Sequence, residues 1–326
     1  MFTSVIHTSF IRIVEGGKES MIEPKPLKMG GKIAIVAPSG PLEVETVFKG
    51  EELLKEMGFD VIIAPSCFER KGYLAGLSDR QRAEDIMMMF ADDEVEAILC
   101  MRGGYGCNRI IPYLKNFKFE NYPKPLIGYS DITYLHLFLN QYHHLITYHG
   151  PMLKDLLLKS ETTTEHFLET IMGETDFDMI DVPYYNQEVC PASGILIGGN
   201  LTIICSTLGT PYEIDTRGKI LFIEEVNEPV YAVDRLLIQL IYSGKVSDAA
   251  GIILGDFNVY DKIETDKLLK RTFRDCHKPV AYNIPSGHCN PLITLPLGAY
   301  VTLNPSTNSL SIQQGCSRKK DKTIKS

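Results

Sequence analysis

Short apolar runs alternate with helical patterns along the first half of the chain. The apolar runs lie at residues 32–37, 60–64, 96–101, 125–129 and 145–148. Between them, apolar residues recur at helical spacing over residues 44–57, 79–90, 108–115 and 132–141. Short β-branched runs predict buried strands, and apolar residues three or four positions apart predict helices. Strands that are apolar throughout and alternate with helices indicate a parallel sheet covered on both faces.

The second half of the chain has a different pattern. Residues 151–190 hold a helical stretch and then an irregular one, which predicts a connection between two domains. Further apolar runs predict strands at 219–225, 250–254 and 299–303 and a helix at 231–242. The sequence therefore predicts an α/β protein in five parts: an extension (1–28), a parallel-sheet domain (29–150), the connection (151–190), a smaller α/β domain (191–315) and a basic tail (316–326). The extension is either disordered or begins, as a translated segment, only at Met21.

Composition and charge exclude several classes of protein. A chain of 326 residues that is 44% hydrophobic and 23% charged is typical of a globular protein with two domains. The net charge of −8 argues against a nucleic-acid partner, because phosphate binding needs a basic face. No apolar window is long enough for a membrane span, and the first residues lack the regions of a signal peptide. We therefore expect a cytoplasmic protein that does not bind membranes.

The eight cysteines do not form a recognisable framework. None belongs to a C-x-x-C pair, and several lie inside apolar runs. This pattern favours reduced, buried thiols over disulfides. No cluster of cysteine and histidine has the spacing of zinc ligands, so no metal or other cofactor is expected.

Two candidate features lie where predicted strands end. Ser130 follows the strand at 125–129 and precedes a helix, and the segment Arg102–Gly106 (Arg-Gly-Gly-Tyr-Gly) follows the strand at 96–101. Ligands of parallel sheets bind beyond the carboxyl ends of the strands. Ser130 could be an exposed nucleophile or simply a helix N-cap, and the local sequence favours the cap. The glycines could present backbone N–H groups to an anion or form a plain turn.

A carboxylate and a histidine in the second half could complete a catalytic site. Glu224 ends an apolar strand and is followed by Glu225, and either a salt bridge or the orientation of a histidine would explain a charge there. His288 lies in a loop after a glycine, which suits a general base. His149 is the main competitor for that role.

Seven segments in order resemble the LD-carboxypeptidase family, which includes the microcin-C-resistance carboxypeptidases. They are 33–39, 102–106, 128–131, 198–201, 221–224, 251–255 and 287–298, and they span about residues 30–313. The resemblance implies a Rossmann-like N-terminal domain and a smaller, swivelling C-terminal β/α domain. Ser130 matches the family's nucleophile, which outweighs the local preference for a helix cap.

The resemblance also assigns roles to individual residues. Glu224 and His288 match the other two members of a Ser-His-Glu triad that is split between the domains. The backbone N–H groups of Gly104 and Asp131 match the oxyanion hole. Glu225 stands where family members commonly have aspartate, which leaves the triad intact.

The implied activity is release of the terminal D-alanine from murein tetrapeptides during cell-wall recycling, by an acyl-enzyme mechanism. Arg102, Asn200 and Arg235 are candidate substrate-binding residues, and the two arginines could neutralise a terminal carboxylate. An alternative within the family is detoxification of a peptidyl-nucleotide antibiotic of the microcin C type, although the segment Arg102–Gly106 favours the cell-wall branch. The family commonly forms homodimers, so a homodimer is expected here.

Overall fold

The computed structural model describes residues 21–174 and 177–313. Within them the α-helices are α1 (Val44–Glu56), α2 (Asp79–Ala91), α3 (Cys107–Leu114), α4 (Thr133–His143), α5 (Leu153–Leu156), α6 (Glu161–Ile171), α7 (Leu201–Thr207), α8 (Val230–Tyr242), α9 (Lys245–Asp248) and α10 (Lys262–Phe273). The strands are β1 (Lys32–Val36), β2 (Asp60–Ile63), β3 (Arg70–Lys71), β4 (Leu74–Ala75), β5 (Val95–Cys100), β6 (Leu126–Gly128), β7 (Thr147–His149), β8 (Phe177–Met179), β9 (Ala192–Asn200), β10 (Ile220–Val226), β11 (Gly251–Asn258), β12 (Val280–Ala281), β13 (Leu295–Leu297), β14 (Tyr300–Asn304) and β15 (Ser309–Gln313).

The first half of the chain forms the parallel sheet that its alternating pattern predicts. The strand order is β13-β7-β6-β5-β1-β2, and every pair from β7 to β2 is parallel. Helix α2 begins where the sequence places its cap, because the Ser78 hydroxyl accepts a hydrogen bond from the backbone N–H of Gln81 at 3.1 Å. The prediction of an α/β fold with a parallel N-terminal sheet is confirmed.

The second half forms a separate curled sheet. Its strand order is β12-β11-β10-β9-β14-β15-β8, parallel from β12 to β9 and antiparallel from β9 to β8. Strand β9 was not expected, because its glycines weaken the strand signal. Gly198 is nevertheless required, since a Cβ there would lie 1.9 Å from the carbonyl oxygen of Phe222.

Two segments cross the boundaries that the pattern suggests. Strand β13 lies in the predicted C-terminal part but pairs antiparallel with β7 and closes the edge of the N-terminal sheet. Strand β8, from the predicted connection, joins the C-terminal sheet through β15. Buried Leu196 and Phe222 belong to the same apolar core as the N-terminal strands. The two sheets therefore share packed surface, and the loop that precedes β13 is held against the first domain.

The ends of the chain are only partly described. Residues 21–28 belong to the predicted extension, yet Ile22 forms a β-bridge with Leu145 and Leu27 is buried. Residues 1–20 and the predicted basic tail, 316–326, lie outside the described residues. Among the helices that are described, none has both the length and the apolar character needed to cross a bilayer.

Candidate active site

Ser130 stands at the turn between β6 and α4 in a strained backbone conformation. It opens a short 3₁₀ turn, Ser130–Ile132, and its φ is +63°, in the left-handed region that non-glycine residues rarely adopt. Its hydroxyl makes no hydrogen bond within the described residues, so it does not serve as a helix cap. A strained serine between a strand and a helix, with a free hydroxyl, is the arrangement in which nucleophiles are presented.

Glu224 and His288 form a hydrogen-bonded pair. Glu224 is fully buried at the end of β10, and its Oε2 accepts a hydrogen bond from Nδ1 of His288 at 2.7 Å. Gly287 permits this approach, because its φ is +125° and a Cβ there would lie 2.8 Å from the same oxygen. A carboxylate can only accept, so the neutral imidazole carries its proton on Nδ1 and leaves Nε2 free to accept another.

The carboxylate of Glu224 raises the pKa of His288. Burial lowers the pKa of His288, but the charge and hydrogen bond of Glu224 outweigh that effect and leave the pKa raised. A base whose cationic form is stabilised by a buried carboxylate is suited to taking a proton and returning it.

The imidazole of His288 lies beside the turn that carries Ser130. Its ring packs edge-on against Tyr129, with the centroids 4.7 Å apart, and Tyr129 immediately precedes Ser130. Ser130 comes from the N-terminal sheet, whereas Glu224 and the loop of His288 come from the second half of the chain. The predicted triad residues therefore lie at the contact between the two halves.

His149, the competing histidine, has a different environment. It is completely buried behind Tyr129, its Nδ1 lies 3.3 Å from the hydroxyl of Ser286, and its ring packs against Phe222. Burial lowers its pKa far below the usual value. His149 is thus an uncharged core residue, which favours His288 as the base.

The glycine segment lies against Ser130. A Cβ on Gly103 would come within 3.1 Å of Ser130 Oγ, and the exposed Gly104 next to it has a φ of +117°. The N–H of Gly40 donates to the Gly103 carbonyl at 3.2 Å and holds the segment in place. The segment therefore contacts Ser130 through Gly103, and the oxyanion-hole role of Gly104 stays a prediction.

The side chain of Asp131 has a structural role that the sequence did not suggest. Its Oδ2 accepts hydrogen bonds from the hydroxyl of Ser39 at 2.7 Å and from the N–H of Cys107 at 2.9 Å. Burial raises the pKa of its carboxyl. Asp131 thereby links the turn of Ser130 to the segment after β1 and to the start of α3.

Asn200 is occupied by internal hydrogen bonds. Its Nδ2 donates to Glu225 at 2.9 Å, its Oδ1 accepts from the N–H of Ile203 at 3.1 Å, and its backbone N–H donates to Thr133 at 3.1 Å. Glu225 accepts two further bonds from Thr202. These contacts join β9, β10 and α4, so Asn200 and Glu225 help to hold the two halves together.

The two candidate arginines differ in position. Arg102 is half-buried beside the glycine segment and lines a cavity of about 320 Å³. Arg235 is exposed on α8, where its guanidinium lies 5.9 Å from the ring of Tyr231. Its contacts within the described part of the chain do not include Ser130, Glu224 or His288, so Arg102 is the better placed of the two.

Three residues near the imidazole were not predicted. The hydroxyl of Tyr129 donates to Asp155 at 3.1 Å, and the ammonium of Lys159 lies over the Tyr129 ring and donates to the carbonyl of Cys289 at 2.6 Å. These contacts fix the segment after α5 to the loop that carries His288. Local sequence gives no signal for them, because the partners are far apart in the chain.

Metal ligands do not cluster in the part of the chain that the structure describes. No group of three or more histidine, cysteine, aspartate or glutamate side chains is placed there to hold an ion. The seven cysteines among these residues are all free.

Comparison with known proteins identifies the family. Residues 33–150 match the model of the LD-carboxypeptidase N-terminal domain, and residues 193–303 match that of the LD-carboxypeptidase C-terminal domain. A Bacillus subtilis protein named "Probable murein peptide carboxypeptidase" is 38% identical over 305 residues, which cover 90% of this chain and 95% of that protein.

Solved structures show the same fold. The muramoyltetrapeptide carboxypeptidase of Oxalobacter formigenes is 28% identical with a TM-score of 0.76, over 87% of this chain and 99% of that one. The MccF-like protein of Bacillus anthracis is 26% identical with a TM-score of 0.80, over 90% of this chain and 100% of that one. With both domain models matched and the fold shared, this chain belongs to the LD-carboxypeptidase family and is a serine-type carboxypeptidase.

Proposed function

We propose that this enzyme releases the terminal D-alanine from murein tetrapeptides, with Ser130, His288 and Glu224 as its catalytic triad. The observation that carries the proposal is the 2.7 Å hydrogen bond between a buried Glu224 and His288, formed beside a serine with a free hydroxyl. The murein substrate is supported by the names of the relatives in Bacillus subtilis and Oxalobacter formigenes.

The reaction begins with transfer of a proton and attack by the serine. Nε2 of His288 takes the hydroxyl proton of Ser130, and Oγ attacks the carbonyl carbon of the L-residue that precedes D-alanine. Glu224 holds the imidazole by Nδ1 and stabilises its charged form. The backbone N–H groups of Gly104 and Asp131 donate to the oxyanion of the tetrahedral intermediate.

Collapse of the intermediate releases D-alanine. His288 donates its proton to the amine nitrogen as the C–N bond breaks, and an ester between Ser130 and the shortened peptide remains. Water then gives a proton to His288 and attacks the ester, and Ser130 regains its proton as the acid product leaves. Every step uses side chains and backbone groups of this chain, with no cofactor.

Substitution of the nucleophile tests the proposal. Purified wild type and Ser130→Ala are incubated with a murein tetrapeptide, and mass spectrometry follows the loss of one alanine residue. We expect the wild type to give the tripeptide and Ser130→Ala to be slower by at least about 10³-fold. Equal release of D-alanine by both proteins would contradict the role of Ser130.

A second candidate is hydrolysis of a peptidyl-nucleotide antibiotic of the microcin C type. It is favoured by the likeness to the MccF-like protein of Bacillus anthracis. Comparing kcat/KM for a tetrapeptide with kcat/KM for an aminoacyl sulfamoyl adenylate decides between the two. We expect the tetrapeptide to be preferred, and a preference for the adenylate would select the second function.

The setting of the reaction is also part of the proposal. A role in recycling cell-wall peptides would place the enzyme in the cytoplasm, and the family resemblance supports a homodimer. Light scattering of the purified protein measures the assembly, and a mass of one chain would contradict it.

A further inference from the structure

Two cations beside the glycine segment have no carboxylate partner. The Nε and Nη1 atoms of Arg102 donate to the carbonyls of Gly103 and Pro41, both at 3.2 Å. Neither Arg102 nor Lys154 forms an ion pair within the described residues, although ion pairs are common elsewhere on this surface. A half-buried guanidinium held only by neutral carbonyls keeps its charge available for an anion from outside.

The backbone brings the two cations to one place. The N–H of Lys154, in the first turn of α5, donates to the carbonyl of Met101 at 3.1 Å, and Met101 immediately precedes Arg102. Both side chains line the cavity of about 320 Å³. The arginine is pre-oriented by its two hydrogen bonds, and the exposed lysine supplies a second, mobile charge.

The rest of the cavity wall fits a small residue that ends in an anion. The remaining lining residues are Pro41, Leu42, Glu43, Thr46, Leu157 and Leu158. The one acid among them, Glu43, is ion-paired with Arg70 at 3.0 Å, so its charge is already balanced. The leucines offer apolar contact to a short side chain, and the net charge of the wall is positive.

The position of Arg102 close to Ser130 indicates which anion of the substrate it binds. Gly103 accepts the hydrogen bond from Nε of Arg102 at 3.2 Å, and a Cβ on Gly103 would be 3.1 Å from Ser130 Oγ. One residue of peptide spans at most about 3.6 Å. A carboxylate one residue beyond the cleaved bond therefore stays close to Ser130, and Arg102 is the cation that donates to the glycine next to Ser130.

We propose that Arg102 and Lys154 form the binding site for the terminal carboxylate of the leaving amino acid. This inference rests on the proposed function, and it assigns the part of the site that selects a free chain end. A peptide that continues beyond the leaving residue presents a neutral amide to these cations and forfeits the charge-assisted bonds.

The experiment compares substrates that differ only in charge at the end. Wild type, Arg102→Gln, Lys154→Met and the control Lys270→Met are assayed with a tetrapeptide acid and with its C-terminal amide. Lys270 is an exposed lysine on α10, away from the cavity lining. The quantity measured is the ratio of kcat/KM for the acid to kcat/KM for the amide. General damage to the fold lowers both values and leaves this ratio unchanged.

We expect the wild type to favour the acid by at least about tenfold, as charge-assisted hydrogen bonds predict. We expect Arg102→Gln to lower that ratio about tenfold or more and Lys154→Met to lower it severalfold. Both changes act mainly through KM of the acid, and Lys270→Met leaves the ratio unchanged. Lys154→Met keeps the test valid if Arg102→Gln disturbs the glycine segment, because the Lys154 ammonium has no hydrogen bond within the described residues.

Two other outcomes overturn the assignment. If both cavity variants retain the ratio of the wild type, the cavity does not bind the terminal carboxylate. If they instead change the preference between a peptide with D-glutamate and one with D-isoglutamine, the cavity binds the inner carboxylate. A wild type that releases D-alanine from no tetrapeptide would refute the proposed function itself, which is a different result from an unchanged ratio.

Discussion

Replacing Glu224 with glutamine removes the charge that faces His288 and preserves the shape of the side chain. If the amide oxygen faces Nδ1, the amide nitrogen takes the position of Oε1, which is buried and has no hydrogen-bond partner among the described residues. If the amide nitrogen faces Nδ1, the imidazole must carry its proton on Nε2 and cannot accept the proton of Ser130. Both orientations of Glu224→Gln are therefore unfavourable for catalysis.

The magnitude of the loss follows from the contact that is removed. A hydrogen bond to a charged group contributes about 1.5–3 kcal/mol. The carboxylate is needed most when the imidazolium forms, so loss of this bond lowers kcat/KM about 10- to 150-fold. The wrong tautomer costs up to about 10⁴-fold in serine peptidase triads. We expect a decrease between these limits for Glu224→Gln.

The substitution also changes the pH dependence of kcat/KM. The acid limb of that profile reports the pKa of the catalytic base in the free enzyme. Burial lowers the pKa of His288, and Glu224 raises it above the usual value. Without the carboxylate the effect of burial remains, so the pKa falls and the acid limb moves to lower pH.

The assay is steady-state release of D-alanine across pH 5–9, and Glu165→Gln is the control. Glu165 is exposed on α6, so the same chemical change there should leave the profile in place. The assignment of Glu224 is refuted if Glu224→Gln keeps kcat/KM within about threefold of the wild type and its acid limb does not move.

Two further predictions concern positioning and stability. Lys159→Met removes the hydrogen bond to the carbonyl of Cys289. We expect kcat to fall about tenfold with little change in KM, because one charge-assisted contact that positions the loop of His288 is lost. A tenfold rise in KM in place of the fall in kcat would contradict this role. Phe90→Ala empties a fully buried position that packs edge-on against Phe119 and should cost about 3–5 kcal/mol of unfolding free energy in urea. The exposed Phe48→Ala should cost less than about 1 kcal/mol, and similar values for both would contradict the packing argument.

Local patterns predicted the N-terminal domain well. The five parallel strands and helices α1 to α4 were placed within a few residues of their observed bounds, because apolar spacing and the cap at Ser78 act over short distances. Local sequence patterns did not predict two strands, β9 and β13. Strand β9 is rich in glycine, and β13 is a short run whose partner, β7, lies in the other half of the chain.

The residues of the candidate site could be predicted from the sequence, but several contacts between them could not. Ser130, Glu224 and His288 could be named because each stands at a strand end or in a glycine-flanked loop, and the family resemblance joined them. The contacts of Asn200 with Glu225 and of Lys159 with the loop of His288 could not be foreseen, because each needs two distant segments to be packed together.

The sequence by itself determined the α/β alternation, the family and the candidate residues for the chemistry. Only the tertiary structure decided that Ser130 is strained and caps no helix, that His149 is buried and uncharged while His288 faces Glu224, and that Lys154 lies beside Arg102. The physical reason is that strand and helix patterns arise from neighbours along the chain. The burial of a side chain, the shift of its pKa and its contacts with distant residues depend on how the two sheets pack together.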